Sequence, residues 1–84
     1  MDQILINFIL PNDTNVEVNI PKNMYVQDAL EQLVEKELIA PLQQGKEWKV
    51  AFKESGELVE INKTIEQNGI TEGTDLRVAQ SGKA

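Results

Sequence analysis

The fold of this chain is decided by its closing stretch, residues 69–84, which reads GITEGTDLRVAQSGKA. Gly69 and Gly73 punctuate a turn, because glycine enters left-handed backbone conformations without a steric penalty. Leu76 and Val78 then alternate with polar residues, which indicates a short last strand. Residues 80–84 carry no large apolar side chain that could pack. We therefore predict a folded domain over residues 1–79 and a flexible tail over residues 80–84.

Two strands are predicted at the other end of the chain. Residues 4–10 form a β-branched and aromatic run that is interrupted only by Asn7, which is typical of a central strand covered on both faces. Residues 11–15, PNDTN, have turn chemistry and predict the tip of a hairpin. Val16, Val18 and Ile20 then alternate with polar residues, so the second strand should have one buried face.

One amphipathic helix is predicted over residues 26–38. Its apolar residues recur at intervals of three and four, and polar residues fill the opposite face. The apolar period starts the helix near Tyr25, whereas Asn23 is the better capping residue type, so both starts stay open. Pro41 prevents the helix from continuing far. The apolar stripe comprises Val26, Ala29, Leu30, Leu33, Val34 and Leu38.

Two further strands are predicted between the helix and the closing stretch. Residues 48–53, WKVAFK, alternate between large apolar side chains and small or cationic ones, which indicates a third strand. Gly56 supplies a tight turn, and Leu58, Val59 and Ile61 form a short fourth strand. Residues 64–70 are predicted to be irregular or a single 3₁₀ turn. This order places one helix across a mixed sheet, as in an α+β two-layer domain.

The composition excludes several classes of function. The chain has neither cysteine nor histidine, so it lacks a thiol nucleophile, a zinc–thiolate site and the commonest general base. Acidic residues cluster within residues 31–37 and 54–60, but they fall on solvated faces and lack the loop spacing of a calcium site. We therefore expect a protein that is not an enzyme and that needs no cofactor and no metal.

Length and charge bear on location and partners. The chain has 84 residues, of which 40% are hydrophobic, and this suffices for one small globular domain. No apolar run approaches the roughly 18 residues of a membrane helix, and residues 1–10 lack the features of a secretory signal. We expect a cytoplasmic protein that does not insert into membranes. The net charge of −6 disfavours nucleic acid and favours protein partners with a basic face. We expect a monomer when the protein is free.

The residues resemble the ubiquitin-like β-grasp superfamily over nearly the whole chain, residues 4–79. The most specific part is the segment TIEQNGITEGTDLRV, residues 64–78, because its isoleucine, glycine turn and Leu-x-Val strand recur through that superfamily. The motifs EWKV at residues 47–50 and GITEGTDL at residues 69–76 look most like the bacterial YukD-like branch. The resemblance implies a ubiquitin-like β-grasp fold, with a mixed sheet of four to five strands and one helix packed across it.

The resemblance implies two alternative functions. Some similar bacterial proteins occur beside homologues of ubiquitin-activating and conjugating enzymes, which implies a protein modifier. Ser81, Gly82 and Lys83 would then form the processing and conjugation site, where a peptidase exposes the Gly82 carboxylate for activation. Glycine lets such a tail pass a narrow channel, although small polar residues are also common at frayed chain ends. Other similar proteins are accessory proteins of type VII secretion, which implies a docking protein that acts through its folded surface.

Candidate partner-binding residues lie on the last predicted strands. Lys49, Ala51 and Ala79 match the outward positions that ubiquitin uses for recognition, which predicts a small, partly cationic surface with a dedicated partner. Alternatively, Lys49 and Lys53 only keep a sheet face soluble. Trp48 is either a core residue or an exposed anchor beside the loop. The candidates are Trp48, Lys49, Ala51, Lys53, Arg77 and Ala79.

Overall fold

The secondary structure elements follow the predicted order. The computed structural model describes residues 3–82 of the 84-residue chain. The first two strands form the predicted hairpin, whose turn is closed by the Leu10 N–H donating to Thr14 O at 2.8 Å. The elements are β1 (Gln3–Ile9), β2 (Asn15–Pro21), α1 (Val26–Glu35), β3 (Lys46–Phe52), β4 (Leu58–Val59), a 3₁₀ helix (Glu66–Asn68) and β5 (Thr74–Gly82).

The five strands form one mixed sheet in the order β2-β1-β5-β3-β4. β1 pairs in parallel with β5, and the other neighbouring strands are antiparallel. β1 therefore lies inside the sheet, with a neighbouring strand on each side. Ile6 and Phe8 are buried in the core on the helix side, and Ile9 is buried on the other side. The prediction of an α+β domain with a mixed sheet and one helix packed across it is confirmed.

The hydrophobic core lies between α1 and the sheet. The buried residues of the helix recur every three to four positions and so form a single stripe that faces the strands. Ile65 and Ile70 close the core from the segment before β5, as buried anchors on either side of the 3₁₀ helix. The helix contributes Val26, Ala29, Leu30 and Leu33, and the sheet contributes Ile6, Phe8, Ile20, Trp48, Val50, Val59, Leu76 and Val78.

The start of α1 is capped by backbone groups from a distant part of the chain. Tyr25 is the N-cap residue, and its side chain makes no capping hydrogen bond. Instead, the Val26 N–H donates to Lys63 O and the Gln27 N–H donates to Ile61 O, each at 3.0 Å. Two of the donors that a helix start leaves unpaired are thereby satisfied. Of the two predicted starts, the one near Tyr25 is correct.

The helix ends before its predicted end at residue 38. It stops at Glu35, and Glu37 adopts a left-handed backbone conformation with a φ of 61°. The Leu38 N–H donates to Leu33 O and the Glu37 N–H donates to Val34 O, both at 2.9 Å, which is the pattern of a Schellman motif. The predicted end is wrong because Leu38 keeps the three-to-four spacing of the helical apolar residues although it lies after the turn that ends the helix.

The segment between β4 and β5 is ordered by backbone and side-chain capping. β4 contains only Leu58 and Val59, so the prediction that the fourth strand reaches Ile61 is wrong. The Ile61 carbonyl is used for capping α1 instead. The Thr64 N–H donates to Gln67 Oε1, and the Gln67 N–H donates to Thr64 Oγ1, both at 3.0 Å. This reciprocal capping box precedes the 3₁₀ helix. Of the two alternatives predicted for residues 64–70, irregular or a single 3₁₀ turn, the 3₁₀ turn is the one observed.

The last strand continues beyond its predicted end. β5 stays paired with β3 up to its final residue, Gly82, which lies opposite Lys46. Residues 80–82, which are part of the flexible tail predicted over residues 80–84, belong to β5 in the structure. The reason is that β3 begins early enough to offer these residues a pairing partner. The rest of the predicted tail, Lys83 and Ala84, lies outside the described residues.

Candidate protein-binding surface

One face of the sheet packs on α1, and the opposite face is open. Side chains alternate along a strand, so within β3 and within β5 every second residue faces the core and the others point to this open face. Directly paired residues share a face, so the register places Lys49 beside Ala79, and Ala51 between Arg77 and Leu58. The sheet therefore brings together four of the predicted partner-binding residues and one that was not predicted. We call these five residues the open-face patch.

Three residues of the open-face patch are apolar, and the largest of them lies at the β4 edge. Leu58 is the most exposed large apolar side chain within residues 3–82, with 65% of its surface accessible. Ala51, its direct neighbour, is half-buried, and Ala79 is exposed. Covering a leucine fully is worth about 1.5–3 kcal/mol, so a partner that buries Leu58 gains binding free energy there.

The outward position of Leu58 could have been predicted from the sequence. Leu58 and Val59 are adjacent apolar residues, and adjacent residues of a strand point to opposite faces. Val59 is buried in the core, so Leu58 has to face outward. In a sheet that is covered on one face only, two adjacent apolar residues of a strand therefore predict that one of them is exposed.

The patch also holds two cations, and each lies near a carboxylate. Lys49 Nζ is 3.3 Å from Glu47 Oε1, and Arg77 Nη1 is 4.0 Å from Asp13 Oδ1. The side chains of Lys49 and Arg77 are 44% and 56% exposed. Ion pairs this exposed to water contribute little stability. Both cations can therefore exchange their present carboxylates for those of a binding partner at small cost.

Two predicted partner-binding residues lie outside the open-face patch. Lys53 is exposed just after the end of β3, where its N–H donates to Asp75 O at 3.1 Å. Trp48 is only 7% exposed and belongs to the core. It lies opposite Gln80, on the face of the sheet that packs on α1. The alternative that Trp48 is an exposed anchor is therefore wrong, and the alternative that it is a core residue is correct.

The predicted processing site lies at the end of β5. Ser81 is half-buried opposite Glu47, and Gly82 is exposed opposite Lys46. Lys83, the third residue of the predicted site, lies outside the described residues. The two described residues of the site therefore belong to a paired strand.

The Gln80 side chain fastens the end of β5 to the loop before β3. Gln80 Oε1 accepts a hydrogen bond from the Gln43 N–H at 3.1 Å, and Nε2 donates to Pro41 O at 3.1 Å. A longer contact joins Nε2 to Ala40 O at 3.4 Å. We call this arrangement the Gln80 clamp. Since one side chain bonds three loop residues, the clamp fixes the position of the loop relative to the end of β5.

Two further features are absent from residues 3–82. Nowhere in residues 3–82 do three or more His, Cys, Asp or Glu side chains come together in a group that could hold a metal ion. In the same part of the chain, no helix has the length and apolar character needed to cross a membrane.

Comparison with known proteins gives matches among solved structures. Neither the protein-family models nor the curated proteins match the sequence. A de novo designed protein based on ubiquitin matches with a TM-score of 0.75 and 20% identity, over 98% of this chain and 93% of that chain. The EccD5 ubiquitin-like domain from Mycobacterium xenopi matches with a TM-score of 0.74 and 16% identity, over 100% of both chains.

A third similar structure is the ubiquitin-like domain of Plasmodium falciparum Dsk2. Its TM-score is 0.72 at 16% identity, over 95% of this chain and 100% of that chain. At identities this low, the likeness concerns the path of the backbone and not the surface chemistry. All three likenesses extend over nearly the whole chain, and they agree with the strand order and the single packed helix described above. The chain therefore has the ubiquitin-like β-grasp fold.

Proposed function

We propose that this chain is a non-catalytic, cytoplasmic ubiquitin-like protein that docks onto another protein through its open-face patch. The observation that carries the proposal is Leu58, which is 65% exposed beside Ala51, on the face that also carries the two cations of the patch. A partner with an apolar side chain and neighbouring carboxylates would cover Leu58 and pair with Lys49 and Arg77. Because these residues sit on paired strands, the patch needs little ordering on binding, and this favours affinity.

The pairing of residues 80–82 supports docking over a role that requires a free tail. These residues extend the strand that carries Arg77 and Ala79, and the Gln80 clamp holds them against the loop before β3. The resemblance to the YukD-like branch supplies a context for docking, namely an accessory protein of type VII secretion. In that context the partners are components of the secretion system.

Photo-crosslinking in the native cell tests docking. With p-benzoylphenylalanine in place of Ala79, we expect one discrete crosslinked adduct. Leu58→Glu should abolish this adduct, because it places a charge where the patch exposes its largest apolar side chain. The matched control is Tyr25→Glu, since Tyr25 is 50% exposed but lies outside the patch. The proposal is wrong if the adduct survives Leu58→Glu.

Gly82 favours a second candidate function, that of a protein modifier. Four of the five glycines have φ values between 73° and 81°, where other residues are strained. Gly82 has no such φ, and a Cβ there would meet no atom within 4 Å, so the fold does not require glycine at this position. A peptidase that cuts after Gly82 would leave a glycine carboxylate. A ubiquitin-activating-like enzyme could then join this carboxylate to AMP from ATP and release pyrophosphate.

Pyrophosphate exchange tests the modifier function. Before activation, the end of β5 would have to detach from β3 and from the Gln80 clamp. With a candidate activating enzyme and ATP, the chain that ends at Gly82 should support exchange, and a chain that ends at Ser81 should not. Absence of exchange with the form that ends at Gly82 rules out this function and leaves the docking proposal untouched.

A further inference from the structure

A groove between α1 and the beginning of β3 offers a second surface, on the helix side of the sheet. β4 pairs only with Val50 and Ala51 of β3. Residues 46–48 therefore have β5 along one edge and, within residues 3–82, no strand along the other. We call residues 46–48 the free edge. Peptide groups on a free strand edge can pair with an added strand.

The groove beside the free edge has an apolar floor. Val34 and Ile61 are half-buried in it, and the indole of Trp48 forms its base. Leu42 stands at one end with 43% of its surface exposed. The Gln80 clamp bonds the residues on either side of Leu42, so this wall is in place before any partner arrives.

The rim of the groove is acidic. Glu31 and Glu35 lie one helical turn apart on the α1 wall, and both are exposed. Neither forms an ion pair with another described residue. Glu47 also lines the groove, but its carboxylate is paired with Lys49, and Lys46 is the one cation among the lining residues. The Lys46 N–H of the free edge already donates to Gln43 O at 3.1 Å, so an added strand would pair with the peptide groups of Trp48. The groove therefore presents an apolar floor, an available strand position and an excess of negative charge together.

We propose that this groove binds an extended, basic segment of a partner protein as an added strand on the free edge. Alternate apolar side chains of the segment pack onto Trp48 and Val34, and its lysines or arginines pair with Glu31 and Glu35. Charge complementarity selects this occupant over a second copy of the chain, whose net charge of −6 would meet like charge. The groove and the open-face patch share no residue, so this site does not depend on the docking proposal.

A defined peptide tests the groove directly. The probe is the acetylated and amidated peptide RVRLRVR, which alternates arginine with apolar residues and contains no aromatic side chain. Trp48 is the only tryptophan of the chain, so a change in its emission reports that the groove is occupied. In two-dimensional amide NMR spectra, we expect the largest shift changes at the free edge and at Glu31 and Glu35. The affinity should fall with added salt.

Matched charge variants separate the groove from the overall charge of the protein. Glu31→Lys with Glu35→Lys should weaken peptide binding about tenfold, because two attractive pairs become repulsive. The double variant Glu17→Lys with Glu54→Lys makes the same change in net charge away from the groove. Its affinity for the peptide should stay within about twofold of that of the unsubstituted protein. Far-UV circular dichroism verifies that both double variants are folded.

Several results would overturn the proposal. Equal weakening by the two double variants would show that only net charge matters. Amide shifts confined to β2 or to the open-face patch would place the peptide elsewhere. A peptide methylated at every internal backbone nitrogen has no N–H donor on either edge, so undiminished binding of that peptide would exclude an added strand. Absence of any binding of RVRLRVR at millimolar concentration would also overturn it.

Discussion

Glu37 occupies a backbone conformation that suits glycine better than glutamate. Its φ of 61° belongs to the C′ position of the Schellman motif that ends α1. For a residue with a Cβ, the left-handed region costs about 1–2 kcal/mol. Glycine avoids this cost but loses about 0.5–1 kcal/mol more conformational entropy on folding. The balance of these two effects favours glycine.

Glu37→Gly should therefore raise the free energy of unfolding by about 0.5–1 kcal/mol. The matched control is Glu35→Gly, in the last turn of the same helix, which should lower it by about 1 kcal/mol. Urea denaturation followed by circular dichroism measures both. If Glu37→Gly lowers the stability as much as Glu35→Gly does, the left-handed conformation at Glu37 carries no strain.

Asn68 is the polar centre of the segment between β4 and β5. Its Nδ2 donates to Glu60 O at 2.9 Å and to Thr64 O at 3.0 Å, and its Oδ1 accepts from the Glu60 N–H at 2.9 Å. One side chain thus joins the loop after β4 to the 3₁₀ helix. Both donor bonds require an amide, because a carboxylate offers acceptors only.

Asn68→Asp should lower the free energy of unfolding by about 2 kcal/mol, since a charged oxygen would face two carbonyl oxygens. Asn62→Asp, an exposed change in the same loop with the same charge, should change it by less than about 0.5 kcal/mol. Thermal denaturation at neutral pH distinguishes the two variants. Equal midpoints for both would mean that the three bonds of Asn68 contribute no net stability.

At the level of the strands, the Gln80 clamp links the end of β5 to the loop before β3. Gln80→Ala removes the acceptor of the Gln43 N–H. Hydrogen exchange at the Gln43 amide should therefore accelerate, and the amides of residues 81–82 should exchange faster because the strand end loses its anchor. Gln44→Ala, an exposed neighbour, should leave these rates unchanged. Unchanged exchange at Gln43 in Gln80→Ala would show that the clamp is not formed in solution.

The order and type of the elements could be predicted because local patterns determine them. Alternation in β2 and β3 and the three-to-four spacing in α1 each depend on neighbours along the chain. The ends of the elements depend on distant groups. Residues 80–82 have no strand pattern of their own, and they extend β5 because β3 offers them a partner. Likewise, β4 stops after Val59 because the Ile61 carbonyl is used to cap α1.

The candidate surfaces could be predicted only in part for the same reason. Lys49, Ala51 and Ala79 were predicted because alternation assigns each to the outward face. Leu58 joins them only through its pairing with Ala51, which no local pattern gives. The groove combines residues from α1, β3 and two loops, so it could not be derived from any one stretch. The alternating pattern of β3 is the same whether Trp48 is a core residue or an exposed anchor. Only the position of Trp48 in the sheet distinguishes the two.

For the whole molecule, a compact monomer is expected in solution. The radius of gyration over Cα atoms is 11.9 Å, and a compact domain of this length should have about 12 Å. Small-angle scattering should give a value close to this, and light scattering should give the monomer mass of 9.4 kDa. A doubled mass at micromolar concentration would contradict the monomer. It would also indicate that the open-face patch or the groove is occupied by a second copy.

The two proposed surfaces leave the molecule with two separate binding faces. The open-face patch lies on the uncovered side of the sheet, and the groove lies on the side of α1. A partner on one face does not cover the other, so one molecule can bring two proteins together.

The capping of α1 by the Ile61 and Lys63 carbonyls has a consequence for the evolution of the chain. Every amino acid has a carbonyl, so the residue types at these positions can drift while the helix keeps its start. The number of residues between β4 and the 3₁₀ helix cannot drift in the same way, because an insertion would shift the carbonyls out of place. Related sequences should therefore tolerate replacements here far better than changes in length. A fold held by spacing in this manner can persist at the 16–20% identity seen among the similar structures.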